Sequence, residues 1–302
     1  MSLRVAVVGA GYLGQHHARI YSELSGVELA GVVDIREERA EEVARRYASR
    51  AYRDYRDVLG TVDALSIVVP TTHHFEIALS CMQAGKDVLV EKPITATVAQ
   101  ADELIREAKR LDRVLQVGHL ERYNSGVITL SRMVHDPRFI EAVRVSPFLN
   151  RSCDVDITLD LMIHDIDIVL SLVPSPIKSI NAFGSSFVTD MIDEARAWIE
   201  FQNGAKASLT ASRISREKQR RLKVFQKGAC LELDYLRSEI WSLTQEGSTE
   251  IITPEYREPL KEELKDFVNC SANREHPQVC GLKGRDALTA ALEISSVIKA
   301  RL

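Results

Sequence analysis

At 302 residues, the chain passes the size of roughly 250–300 residues at which single cores begin to divide, so two domains are expected. Its net charge is -4 and its basic residues are scattered, which argues against a nucleic-acid partner. No stretch approaches the roughly 18 apolar residues of a membrane span and the N-terminus has strand character, so a cytoplasmic protein with no membrane partner is expected. Five cysteines, Cys81, Cys153, Cys230, Cys270 and Cys280, are odd in number and widely spaced, and read as free thiols.

In chain order, Leu3 to Val8 is an apolar strand-like run, followed directly by Gly9-Ala10-Gly11-Tyr12-Leu13-Gly14 and a helical stretch over 15–24. The glycines have separate tasks: a tight turn at Gly9, close approach of a pyrophosphate at Gly11, and close helix-to-strand packing at Gly14. The helix N-terminus faces the phosphates with unpaired N–H groups. A second strand over 29–33 ends in Asp34, twenty residues after Gly14. That carboxylate is placed to accept from both ribose hydroxyls and to repel a 2′-phosphate, so NAD is expected over NADP; Arg36 is the residue able to oppose this.

Strands and helices go on alternating: helix 37–47, strand 64–69, helix 75–84, strand 87–90, helix 96–111 and strand 114–117. This is the pattern of an α/β, doubly wound parallel sheet, whose ligands bind beyond the carboxyl ends of its strands. Pro70, Glu91 and Gly118 stand at such ends, so Pro70, Thr71, Thr72, His74, Glu91 and Lys92 join Gly9, Gly11, Tyr12, Leu13, Gly14 and Asp34 as expected cofactor contacts. His16 and His17 are expected to pack under the loop.

Beyond Gly118 the pattern changes. A helical segment from about 154 or 156 to 172 precedes strand-like runs over 177–183, 195–201, 206–212, 222–226 and 230–235, with turns such as Asn203-Gly204 and Lys227-Gly228. A C-terminal α+β domain with a large open, mainly antiparallel sheet is expected. The division is then a Rossmann domain over 1–120 and a substrate-binding and oligomerisation domain over 121–302, with the C-terminal helices free to pack back on the first. Apolar residues on both faces of the strands, as over 205–209 and 231–235, predict an assembly surface and a homodimer or homotetramer.

Chemistry enters with Lys92, at the end of the run Asp87 to Glu91, and with Asp160, His164 and Asp167, which at i, i+4 and i+7 share one face of a helix. That helix is apolar nearly all round and therefore buried. Ionisable groups on it need partners, and a polar substrate supplies them. Oxidising an alcohol requires a base for the hydroxyl proton, and a histidine suits that task near neutral pH. Lys92 would offset negative charge developing on the same oxygen, and Asp160 would orient His164 or hold a neighbouring hydroxyl. A metal at Asp160 and His164 would need further ligands, and no other histidine forms a matching motif, so none is expected. A non-catalytic dinucleotide-sensing regulator is the alternative from another class, but it has no use for Lys92 and His164.

These motifs, with Gly118-His119-x-x-Arg122-Tyr123-Asn124 and Pro277-x-Val279-x-Gly281-x-x-Gly284-x-x-Ala287-Leu288, resemble in order and spacing the glucose-fructose oxidoreductase / inositol dehydrogenase / MocA family. The resemblance implies a Rossmann domain plus an open-sheet domain, and hydride transfer between a nicotinamide and a hydroxyl of a sugar, cyclitol or nucleotide sugar. Within the family, the segments around His119, Pro147 and His164 look most similar to the UDP-N-acetylglucosamine 3-dehydrogenase branch. An inositol or simple-sugar dehydrogenase is the alternative, because Cys153-Asp154-Val155-Asp156-Ile157-Thr158 replaces the glycine-rich approach many members have. Substrate contacts are expected from Lys92, Tyr123, Asp160 and His164. A diphosphate calls for cations, and Arg151 and Arg213 are candidates; the basic cluster over 216–221 reads equally as phosphate contacts or a solvated turn.

Overall fold

Runs of apolar residues too short for helices build the first sheet. In the computed structural model, which describes residues 2–148 and 155–302, these are β1 (Leu3–Val8), β2 (Val27–Val33), β3 (Ala51–Tyr52), β4 (Ala64–Ile67), β5 (Asp87–Glu91) and β6 (Leu115–Gly118). They are all parallel, in the order β3-β2-β1-β4-β5-β6. Every residue of β4, β5 and β6 is buried, as strands covered on both faces must be. The strand order reverses beside β1, which makes the gap between the ends of β1 and β4 the place where a ligand fits.

The helices between the strands are α1 (Tyr12–Glu23), α2 (Glu37–Arg46), α3 (His74–Gln83) and α4 (Val98–Leu111). In α2, Ala40, Val43 and Ala44 at i, i+3 and i+4 are the buried stripe, while Glu37 and Glu38 open the helix and Arg45 and Arg46 close it, matching its dipole. Thr97 caps α4, its hydroxyl accepting from the Gln100 N–H at 3.3 Å. A helix from far along the chain, α7 (Pro259–Asn273), puts Leu260, Leu264, Phe267 and Cys270 into the same core as Val5 and Ile20. This first unit therefore comprises Met1–Leu120 and Glu258–Arg285.

The second unit comprises Glu121–Arg257 and Asp286–Leu302. It holds α5 (Ser125–Met133), β7 (Pro137–Val145), a π-helical turn over Thr158–Met162 continuing into α6 (Ile163–Leu172), then β8 (Ile177–Ser185), β9 (Glu194–Phe201), β10 (Lys206–Ser212), β11 (Gln219–Gln226), β12 (Ala229–Asp234), β13 (Glu239–Thr244) and β14 (Thr249–Ile252). The last helix, α8 (Gly281–Lys299), belongs to this unit from Asp286 on. The sheet order is β14-β13-β12-β11-β7-β10-β9-β8; β7 runs parallel to β10 and the other described pairings are antiparallel.

One face of this sheet is core. Ile140, Ala142, Leu222 and Val224 meet Ile163, Ile166 and Val169 of α6 and Ala291 and Ile294 of α8. The apolar residues of 205–209 and 231–235 do not divide between two faces as expected: Ala205, Ala207, Leu209, Leu231 and Leu233 are all buried core. Strand alternation puts different residues outward, and the open face carries Phe139 packed between Trp198 and Phe225, with ring centroids 5.5 and 5.7 Å away and ring planes tilted by 34° and 31°.

Cys81, Cys230, Cys270 and Cys280 are free thiols, and burial pushes Cys81 and Cys270 up to about 12, so neither is reactive near neutral pH. Cys153 lies outside the described residues. Among the described residues no helix is long and apolar enough to cross a membrane.

Candidate functional site

Three glycines shape the carboxyl end of β1 by what they lack. Gly9 sits at φ +102°, and a Cβ there would lie 2.2 Å from the Val68 carbonyl oxygen. A Cβ on Gly14 would lie 1.8 Å from the Gly9 carbonyl oxygen. Both are thus demanded by close backbone packing. Gly11 is different: nothing lies within 4 Å of its Cβ position, and it caps α1 without a side chain. The α1 N-terminus therefore opens onto free space bordered by backbone N–H groups, which is what a pyrophosphate needs.

Asp34 is held beside this loop by two backbone donors, the Ala10 N–H on Oδ2 and the Arg36 N–H on Oδ1, both at 2.9 Å. A cleft of about 670 Å³ runs along it, bordered by Gly9, Gly11, Asp34, Arg36, Pro70 and His73. Arg39, Arg53 and Arg56 border it too. Sequence reading named only Arg36 because Arg53 and Arg56 follow β3, whose two residues leave no periodic signal. Arg56 is already engaged by Asp54, whose carboxyl it holds at about 2. Space at Gly11, a carboxylate at the second strand's end and apolar walls fit an adenine dinucleotide.

Other expected cofactor contacts sort into two groups. Tyr12 is exposed at the first residue of α1, edge-on to His16, Leu13 packs against the core, and Thr71 and Thr72 open the short turn after Pro70. His74 departs from the expected wall of the cleft, because it is buried and both ring nitrogens meet backbone carbonyls, Pro93 at 2.9 Å and Val69 at 2.8 Å. Burial lowers its pKa, and the residue bordering the cleft is its neighbour His73. Glu91 is likewise turned inward: Oε1 lies 3.2 Å from His17 Nε2 and Oε2 accepts from the Lys92 N–H at 3.3 Å. Lys92 itself is half-buried at the end of β5.

In the second unit the widened turn over Thr158–Met162 carries Asp160, and α6 carries His164, Asp165 and Asp167. Asp160 and His164 are half-buried, while Asp165 and Asp167 are buried. The regular helix expected through Asp160, His164 and Asp167 is interrupted, since the backbone is π-helical over Thr158–Met162. Asp167 faces Arg122, with Oδ2 3.9 Å from Nε. Tyr123 is buried. Arg213 is buried as well, donating to the Val155 carbonyl at 2.5 Å with its Nε 3.8 Å from Asp193, a position that ties chain segments. Arg216 and Lys218 are exposed between β10 and β11, and Arg221 lies on the open face of the sheet, 3.8 Å from Glu232. Arg151 is outside the described residues.

A parallel sheet in this order, with the glycine turn after its first strand and an acid ending its second, defines a dinucleotide-binding unit of the Rossmann class. Residues 3–119 match the family model described as "Oxidoreductase family, NAD-binding Rossmann fold", and residues 109–231 match the GFO/IDH/MocA C-terminal domain. The chain is 38% identical to a UDP-N-acetylglucosamine 3-dehydrogenase of Acidithiobacillus ferrooxidans over 99% of its own length and 98% of that protein. A solved structure of such an enzyme from that organism superposes with a TM-score of 0.96, covering 99% of each chain. A myo-inositol 2-dehydrogenase of Thermotoga maritima is 27% identical over 95% of this chain and 93% of its own. The chain belongs to the GFO/IDH/MocA family of oxidoreductases.

The glycines predict separable defects. Gly9→Ala and Gly14→Ala should each destabilise the fold by about 1–3 kcal/mol and weaken dinucleotide binding. Gly11→Ala should leave thermal unfolding close to native while weakening binding, because its methyl enters open space. Thermal melts with NADH fluorescence titrations check this; a stable Gly14→Ala protein would contradict the packing argument.

Proposed function

We propose that this oxidoreductase is an NAD-dependent dehydrogenase that oxidises the 3-hydroxyl of UDP-N-acetylglucosamine or a closely similar nucleotide sugar. The observation carrying this reading is the 38% identity maintained over 99% of the chain to an enzyme of that name. The inositol dehydrogenase that also matches stands further off at 27%. A bound nicotinamide would supply the acceptor for the hydride, that is, for the carbinol hydrogen together with both electrons of its C–H bond. His164 takes the hydroxyl proton as the carbonyl forms. The Lys92 ammonium stabilises the oxygen as its negative charge develops. Asp160, half-exposed on the turn before α6, holds a substrate hydroxyl or orients His164.

Removing each group tests its task. Lys92→Met should lower kcat by about 10²–10³ with NAD binding retained. His164→Asn should lower it by about 10²–10⁴ and remove the acidic limb of the pH profile, because a base works only above its pKa. Initial rates of NADH formation with UDP-N-acetylglucosamine, other UDP-sugars and inositols supply the measurement. Turnover of an inositol and none of a UDP-sugar would replace the substrate assignment, native rates in both variants would overturn the roles given to Lys92 and His164, and no turnover of any of these compounds would favour a sensor.

Cofactor choice follows from Asp34, whose carboxylate a 2′-phosphate would have to face. Like charges about 4 Å apart repel by about 1 kcal/mol even in water, so NAD should be preferred by about fivefold or more in kcat/KM. Asp34→Ser should narrow that ratio by leaving Arg36, Arg39 and Arg53 to set it. Comparable kcat/KM for NADP in the unaltered protein would show that the arginines win.

Homo-oligomer formation through the open sheet face belongs to the same proposal. Phe139, Trp198 and Phe225 make a contiguous aromatic strip there, with Trp198 44% and Phe225 37% exposed. Monomeric proteins rarely leave such a strip uncovered. Light scattering should return a dimer or tetramer at micromolar concentration, and Trp198→Glu with Phe225→Glu should shift it toward monomer; a native monomer would refute the surface.

A further inference from the structure

Arg144 of β7 is among the largest fully buried side chains of the protein, and each part of its guanidinium is used. Nε and Nη2 donate to Asp165 Oδ2 and Oδ1, both at 2.9 Å, in a two-bond fork. Nη1 donates to Glu121 Oε1 at 2.8 Å, and the Tyr235 ring stacks on the group at 5.2 Å. All four residues lie in the second unit. Strand alternation explains the burial, since Arg144 points the same way as Ile140 and Ala142, into the core under α6.

Stability does not explain the cluster. Taking one guanidinium and two carboxylates out of water is costly, and buried ion triads exchanged for apolar side chains of similar size often leave a fold equally or more stable. Burial pushes the Asp165 carboxyl up against the pull of Arg144, which marks the strain of keeping it there. What apolar packing lacks is direction. Ile163, Ile166, Ile168 and Val169 pack into the core without directional bonds, so the polar groups of α6 are the ones able to fix its rotation about its axis. A planar fork fixes a carboxylate in both position and plane, and Asp165 follows directly after His164. Arg122 adds a weaker tie two residues further on, with its Nη1 3.5 Å from the Asp167 carbonyl oxygen.

We propose that Arg144 is a positioning residue for the reaction: its fork on Asp165 sets the rotation of α6 and so the direction in which His164 presents its imidazole. The inference rests on the reading of His164 as the base. The test compares Arg144→Lys, which keeps the charge and loses the fork, with the combined Arg144→Met, Asp165→Leu and Glu121→Leu protein, which replaces the whole cluster by apolar groups. Both should bind NAD as the unaltered protein does and unfold within a few degrees of it. Their kcat should fall by about 10–10², the cost of a catalytic group misplaced by about an ångström, with KM little changed. The acidic limb belonging to His164 should move in both. In Arg144→Ala, added methylguanidinium should restore part of the lost kcat by refilling the fork.

Native kcat and a native acidic limb in folded Arg144→Lys and in the triple replacement, beside a limb lost in His164→Asn, would overturn the positioning role and leave the base in place. Native turnover and limb in His164→Asn would overturn the reading of the base, and the positioning role with it. If no Arg144 variant yields folded protein by circular dichroism and NAD binding, the cluster is a folding requirement and the proposal fails.

Discussion

The carboxyl end of the first sheet is organised around one buried carboxylate. Glu91 ends β5, and it is 6% exposed, so its charge has to be met from within. His17 meets it from α1 at 3.2 Å, and the Lys92 N–H meets it from the chain's next residue. On the third side is Gly118, at the end of β6, where a Cβ would come within 2.8 Å of the carboxylate carbon and both its oxygens. A helix and two strand ends are thereby held to one group. The helix is the one whose N-terminus opens at Gly11, so the phosphate-facing loop and the chain position from which Lys92 projects share a common anchor. An unpaired buried carboxylate costs several kcal/mol, which makes this corner resistant to small displacements.

His74 extends the same corner by another route. Its two ring nitrogens face the Val69 and Pro93 carbonyls, and thus link the chain leaving β4 to the chain leaving β5, the next strand out from the switch in strand order. Burial favours the neutral ring, which donates only one of these bonds, while the two carbonyls and Glu91 favour the charged ring, which donates both. Loops after strands are mobile by default. Here they are tied by side chains that never border the cleft, so the residues that line the nucleotide space and those that hold it in shape are adjacent in sequence but distinct in task.

Much of this was legible in the sequence where it depended on local pattern. The glycine turn, Asp34, each strand of the first sheet except β3, and β8 to β12 all follow from apolar period and turn residues. What was not legible depended on contacts between distant segments. β7 lies at the centre of the second sheet, between β11 and β10, yet it starts at Pro137 and places Arg144 at a core position, so it breaks the alternation that marks a half-buried strand. α7 joins the first core through Leu260, Leu264 and Phe267, an attachment no local signal announces. Histidines are the clearest case within the candidate site. His73 and His74 are equivalent by residue type, and only the turn preceding α3 decides that one borders the cleft while the other is buried.

The same distinction accounts for the helix that carries Asp160 and His164. Spacing at i, i+4 and i+7 assumes a regular α-helix, but the backbone widens over Thr158–Met162 before α6 begins. Widened turns are retained where they redirect a side chain, and this one separates Asp160 from the buried pair Asp165 and Asp167 while leaving Asp160 and His164 both half-buried. Thr158 within the turn is fully buried and bonded through its hydroxyl to Ser295 of α8, at 2.5 Å. Asp156 just before it takes the Ile192 N–H at 3.2 Å and the Lys299 ammonium at 2.7 Å. The turn is thus pinned by polar contacts at its entrance, and α6 by carboxylates at its buried face. The roles proposed for Asp160 and His164 therefore draw on more than residue identity: both are half-buried, on a backbone held by the contacts of Asp156 with Lys299, Thr158 with Ser295 and Asp165 with Arg144.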